Sequence, residues 1–182
     1  MVHSIRIDGY AYIWMALGIL CLPFSWLIAA VLAALCHEGC HFFAAKILNV
    51  HISNISIGIG GMVMEMEPMP RGKEFAVALA GPLGSFLLCL MLRVFPELAI
   101  CGLVQGGFNL LPIFPLDGGR LMYCILGKWA VFVENLFVCA LLLMSVLLEN
   151  GYGIYPFLFV LLITAKAIQR KFPCKELNLA VQ

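Results

Sequence analysis

The stretch FSWLIAAVLAALCHEGCHFFAAKIL, residues 24–48, decides how the rest of the chain is read. It is apolar along most of its length, yet its second half carries His37, Glu38 and His41. A helix of about 20 apolar residues crosses a bilayer, and this stretch is long enough to do so. In such a helix His37 and His41, four positions apart, stack on one face with their Cβ atoms about 5–6 Å apart. Two imidazole nitrogens at that spacing can share one metal ion. Glu38 is rotated about 100° around the helix, where it can act on a water at the metal without competing for the metal. This is the His-Glu-x-x-His arrangement, in which the histidines bind zinc and the glutamate is the general base. The pattern also arises by chance in soluble helices, and a lone core histidine is usually structural. Inside a span the balance shifts, because ionisable residues there are costly and mark function.

The composition supports the membrane reading. Of 182 residues, 63% are apolar and 12% charged, against about 45–50% and about 25% in soluble domains. So few charges cannot cover a water-soluble fold of this size, and the expected class is an all-α polytopic membrane protein. The net charge of +1 gives no basic patch for nucleic acid. Arg6 and Asp8 precede a long apolar run that no small-residue cleavage site follows. That run reads as a retained first span, not a cleavable signal peptide. The 8 cysteines are spread through the apolar segments without a Cys-x-x-Cys pair, so no disulfide framework is implied.

Four further blocks, at about 75–92, 98–114, 130–148 and 152–168, are apolar enough to span. Pro23 divides the long block from Ile7 to Leu48 into spans at 7–22 and 24–48. Six spans place Arg6, Lys46, Arg71, Lys73, Arg120, Lys128, Lys166, Arg170, Lys171 and Lys175 on or near one side, with Arg93 alone on the other. By the positive-inside rule the basic side is cytoplasmic, which puts both termini in the cytoplasm of a multi-pass cell-membrane protein. A five-span count, with one long tilted first helix, would scatter these charges. Residues 1–170 then form a single transmembrane domain and 171–182 a short cytoplasmic tail.

Between spans two and three, Ile55, Ile57 and Ile59 alternate with small residues, and after Gly60-Gly61 the methionines 62, 64 and 66 alternate with Val63, Glu65 and Glu67. A period of two on either side of glycines predicts a short β-hairpin over 52–66. An open sheet edge cannot face lipid, so the hairpin belongs at the cytoplasmic interface.

Two histidines leave a catalytic zinc, which commonly has three protein ligands and a water, one ligand short. Asp117 lies in NLLPIFPLDGGR, residues 109–120, at the cytoplasmic end of the fourth span, where its depth can match that of His37 and His41. Pro112 and Pro115 stop regular helix and Gly118-Gly119 allows a sharp turn. Irregular backbone of this kind is tolerated in a membrane where it lines a watery cavity. Taken alone, Asp117 reads equally as a turn residue capping the next helix. Glu134 and Asn135 could line the cavity or simply sit at the interface. Cys36 and Cys40 point to other faces of the His37 helix and read as packing. His3 and His51 fall outside the spans, and Gly81-Pro82 reads as close helix packing in span three.

The two motifs together, His37-Glu38-Gly39-Cys40-His41 in an early span and Asn109 to Gly118 about seventy residues later, resemble those of the site-2 protease family of intramembrane metalloproteases. The second motif matches that family's Asn-x-x-Pro…Leu-Asp-Gly pattern, and Ala80-Gly81-Pro82 matches a recurring tripeptide. The run through Leu116-Asp117-Gly118-Gly119-Arg120 is similar to the stage IV sporulation protein FB type, and the resemblance is strongest over about 24–125. Ser85 departs from it, standing where many relatives have Asn. The resemblance implies a six-span core and one Zn2+ per chain with Asp117 as third ligand. It places Asn109 near the active site, holding substrate or the developing oxyanion. It also implies a membrane-associated substrate such as a sigma-factor precursor. A membrane-protein inhibitor and membrane lipid are further expected partners.

The chemistry expected on this reading is peptide hydrolysis with Glu38 as base. Because helical carbonyls are already hydrogen-bonded, the substrate must arrive unwound, and the hairpin could receive it as an added strand through Ile55 and Ile57. A metal or proton transporter could use the same intramembrane His and Asp groups, and a third reading is a scaffold that binds zinc only for stability.

Overall fold

The computed structural model describes residues 4–7, 19, 22–58 and 61–152. The expected spans at 7–22 and 152–168, and the tail 171–182, lie almost wholly outside these residues. The described elements run β1 (Ser4–Ile7), α1 (Phe24–Ile47), β2 (Ile52–Gly58), β3 (Gly61–Met66), α2 (Arg71–Leu87), α3 (Pro96–Asn109), α4 (Asp117–Leu126) and α5 (Ala130–Tyr152). Single 3-10 turns follow α2 and α4.

Local chemistry sets the boundaries. Pro23 and Pro70 precede α1 and α2, and Pro96 is the first residue of α3, the position where a missing N–H costs least. Glu74 and Glu97 lie in the first turns of α2 and α3, and Lys46 in the last turn of α1, each matched in sign to the helix dipole. α1 stops where Asn49 takes a positive φ of 53°, a conformation Asn tolerates better than most residues.

The packing is inverted relative to a soluble protein. His37, His41, Ser85 and Asp117 are buried, whereas Phe43 is 65% exposed, Leu90 77% and Phe132 63%. Polar groups inside and large apolar groups outside suit a lipid surround. Among the described residues, three stretches are long and apolar enough to cross a membrane: Phe24–Ile47, Arg71–Met91 and Asp117–Met144. The last is not one straight rod. Glu134 Oε1 accepts the backbone N–H of Phe114 at 3.0 Å, whereas along a straight helix Glu134 would lie about 25 Å from Asp117. The chain turns at Gly127, whose φ is +55°, and α5 doubles back beside α4.

The fourth expected span also differs from its sequence reading. α3 has 14 residues, a rise of about 21 Å, which falls short of the roughly 30 Å hydrocarbon core. The proline-containing segment 110–116 interrupts it, and α4 continues the path. The crossing is therefore broken, and Asp117 stands at the break rather than at the span's end.

The expected hairpin is present as β2 and β3, antiparallel from Ile52↔Met66 to Gly58↔Gly61. A third strand joins it: β1 pairs in parallel with β2, from Ser4↔Asn54 to Ile7↔Ile57. β2 is thus the central strand, in the order β1-β2-β3. The sheet rests on the ends of two helices. Ile55, Met64 and Met66 pack with Ala44 and Leu48 against a buried cluster of Ala45, Ile52 and Val77, while Glu65 and Glu67 are exposed. The sheet therefore caps the end of α1 nearer His41. Lys73 Nζ donates to the Leu48 carbonyl at 2.8 Å, tying the start of α2 to the end of α1. Arg120 lies 3.6 Å from Glu74, and the Arg71 guanidinium approaches Gly127. Lys46, Arg71, Lys73, Arg120 and Lys128 consequently gather toward one end, and Arg93 lies beyond the opposite end of α2.

Candidate metal centre

α1 presents His37 and His41 from adjacent turns, both buried on the side that faces α2. Their rings meet edge to face, with centroids 4.9 Å apart. α4 brings Asp117 to the same point. His37 Nε2 and His41 Nε2 are each 3.1 Å from Asp117 Oδ2 and 3.2 Å from each other. Among the described residues this is the one group of three His, Cys, Asp or Glu side chains close enough to share an ion.

The donor chemistry tests whether a metal fits. His41 Nδ1 lies 2.7 Å from the Val77 carbonyl. A carbonyl only accepts, so Nδ1–H donates and Nε2 of the neutral ring presents a lone pair. His37 Nδ1 lies 2.8 Å from Ser85 Oγ, a hydroxyl that can accept the Nδ1 proton when Nε2 is given to a metal. With His37 in that tautomer the three inward atoms, 3.1–3.2 Å apart, are all acceptors, and a cation between them would satisfy all three. Donors held at about 2.0–2.2 Å by a tetrahedral zinc are about 3.3 Å apart, close to what the side chains already adopt. The set of two imidazoles and a carboxylate is one that zinc takes at catalytic sites, with a fourth position open. The site fits one zinc ion.

The surroundings explain how the donors approach so closely. A Cβ on Gly81 would overlap the His41 ring, and one on Gly84 would overlap Cys40 Sγ. A Cβ on Gly118 would fall on the Leu110 carbonyl, and one on Gly119 would come within 2.6 Å of the Ile113 carbonyl carbon. Gly118-Gly119 therefore lets the start of α4 lie directly on the backbone of 110–114. Glu134, from α5, braces that backbone at Phe114.

Glu38 is half-buried beside His37, and its carboxylate lies within the electrostatic reach of His37, His41 and Asp117. Asn109 is half-buried at the end of α3, where its Nδ2 donates to the Gln105 carbonyl at 3.1 Å. Its carboxamide is thus turned onto its own helix, while the backbone of the next residue, Leu110, backs Gly118. Cys36 and Cys40 pack along Gly84 and do not join the donor cluster. His51 is exposed, as is Asn135, and His3 lies outside the described residues. Sequence reasoning noted Ser85 only as a departure from a motif and gave Val77 no part. Glu134 signalled itself only as an acid inside an apolar block.

No family model matches the chain. A site-2 protease from Methanocaldococcus jannaschii superposes with a TM-score of 0.66 and 27% sequence identity, over 92% of each chain. A zinc metalloprotease of the same organism is 34% identical over 119 residues. Stage IV sporulation protein FB of Bacillus subtilis is 29% identical over 148 residues.

The chain is similar in fold and in sequence to a site-2 protease.

It resembles the sporulation protein over 72% of its own length and the archaeal metalloprotease over 57%. It spans 51% and 35% of those proteins, so about a third to a half of each curated relative. The likeness fits the setting of the site, where apolar helices surround the donors and the third donor follows the irregular segment 110–116.

Proposed function

We propose that the protein is an intramembrane zinc metalloendopeptidase that hydrolyses a peptide bond in or near the membrane segment of its substrate. The observation that carries this reading is the convergence of His37 Nε2, His41 Nε2 and Asp117 Oδ2 within 3.2 Å, with Glu38 adjacent. Zinc held there would polarise the scissile carbonyl and lower the pKa of water to about 7. Glu38 accepts the proton from the attacking water and returns it to the leaving amine. Asn109 donates to the oxyanion, swinging from Gln105 when substrate enters.

The proposed substrate is a membrane-associated protein, in the first instance a sigma-factor precursor released on the cytoplasmic side, under control of a membrane-protein inhibitor. Similarity to the sporulation protein over 72% of the chain supports this. Gathering of Lys46, Arg71, Lys73, Arg120 and Lys128 toward the end capped by the sheet supports a cytoplasmic position for that end, and with it cytoplasmic termini.

Substrate recognition by strand addition is part of the proposal, with one change from the sequence reading. Ile55 and Ile57 lie in the central strand, which already has a neighbour on each side, so an incoming strand must use an outer strand, and β3, with 6 residues against 4 in β1, is the longer of the two. Proline at Val63 or Glu65 should slow cleavage while zinc content stays unchanged. Cleavage at the wild-type rate in both variants would remove strand addition from the mechanism.

The decisive test compares wild type with Glu38→Gln, co-expressed with candidate membrane-tethered transcription factors. The variant should keep its zinc and lose cleavage by at least about 10²-fold, the usual contribution of a general base. Full cleavage without Glu38 would exclude the mechanism. Zinc or proton flux in liposomes, with no cleavage by wild type, would replace it with transport.

A further inference from the structure

We infer that Ser85 is a positioning residue for the metal centre: its hydroxyl fixes the ring orientation of His37, and α3 holds that hydroxyl in place. The inference rests on the zinc reading of the site but not on proteolysis.

Ser85 is completely buried at 0% exposure, and its Oγ lies 2.8 Å from His37 Nδ1. An imidazole offers its second nitrogen to a metal in a defined direction only if the first is held, and residues that do the holding typically affect metal affinity 10–100-fold. His41 is held by a backbone carbonyl, that of Val77, which no substitution can remove. His37 is held by a side chain, so its support alone can be deleted by mutation.

The position of Ser85 is itself set from the far side. A Cβ on Gly102 would come within 2.7 Å of the Ser85 carbonyl, and one on Gly106 within 3.0 Å of Ser85 Cβ. Two glycines one helical turn apart on α3 thus form a flat wall against which Ser85 is pressed. The order of contact is α3 glycines, Ser85 of α2, His37 of α1. α3 contributes no donor to the cluster, yet it helps fix the direction of one donor. Residue 85 therefore has two requirements: it must be small enough for the wall, and it must accept a hydrogen bond from Nδ1–H. Serine meets both, alanine only the first.

The full chain, purified in detergent, tests this with zinc and with Co(II) as a spectroscopic stand-in. Ser85→Ala should fold, bind zinc about 10–100-fold more weakly in competition with a chelator, and shift the Co(II) d–d absorption. Wild-type affinity and spectrum in Ser85→Ala would overturn the inference while leaving the protease reading intact. Wild type that binds neither metal would overturn both. Histidine 15N NMR of the wild-type zinc form decides the matter without any variant. The proton of His37 should be on Nδ1 and the metal on Nε2, and the reverse assignment overturns the inference.

Discussion

The two regions that supply the proposed zinc ligands reach the same point by opposite means. α1 is regular helix, and its two histidines converge because residues four apart share a face. Residues 110–116 are irregular, and Asp117 arrives because prolines stop one helix and two glycines let the next start directly against the loop. In the first region ligand placement is a property of the local chain. In the second it depends on backbone packed against backbone, braced by Glu134 from a third helix. The same coordination geometry can therefore be robust on one side and sensitive on the other.

The largest effect should come from removing a ligand on either side. His41→Ala and Asp117→Ala should each abolish stoichiometric zinc in metal analysis of the purified protein. A full zinc complement in Asp117→Ala alone would put the third ligand elsewhere and break the comparison. The next largest effect belongs to the sensitive side. Gly118→Ala drives a methyl into the Leu110 carbonyl, and overpacking of that kind costs about 1–3 kcal/mol. The unfolding temperature should fall and zinc should bind more weakly; an unchanged melting curve would mean that the loop yields freely. The smallest effect belongs to the same substitution in α1. A Cβ on Gly39 meets nothing within 4 Å, so Gly39→Ala should stabilise the helix by about 0.5–1 kcal/mol. A loss of stability there would show that the regular side is as tightly constrained as the irregular one.

This contrast also explains what could be read in advance. Helix α1 over 24–47, the β2–β3 hairpin and the His37/His41 pair all follow from periodicity, which is local. Asp117 carried no local signal beyond that of a capping residue, and only its family resemblance singled it out. The broken fourth crossing was half legible: Pro112 and Pro115 marked the interruption, but only three-dimensional packing could place Asp117 at the break and turn α5 back on α4. Strand β1 escaped notice because Ser4–Ile7 is too short to display a period, and its partner lies some fifty residues away. Ser85 escaped for a related reason. Its contacts, with His37 on one side and the α3 glycines on the other, all cross between helices, and no spacing within one segment encodes them.

Val77 belongs to two parts of the molecule at once. Its side chain lies in the buried cluster on which the sheet rests, and its carbonyl holds His41 Nδ1. A strand docked on β3 would join a platform whose underside is this residue. On the proposed mechanism, recognition at the sheet and chemistry at the metal are thus one amino acid apart.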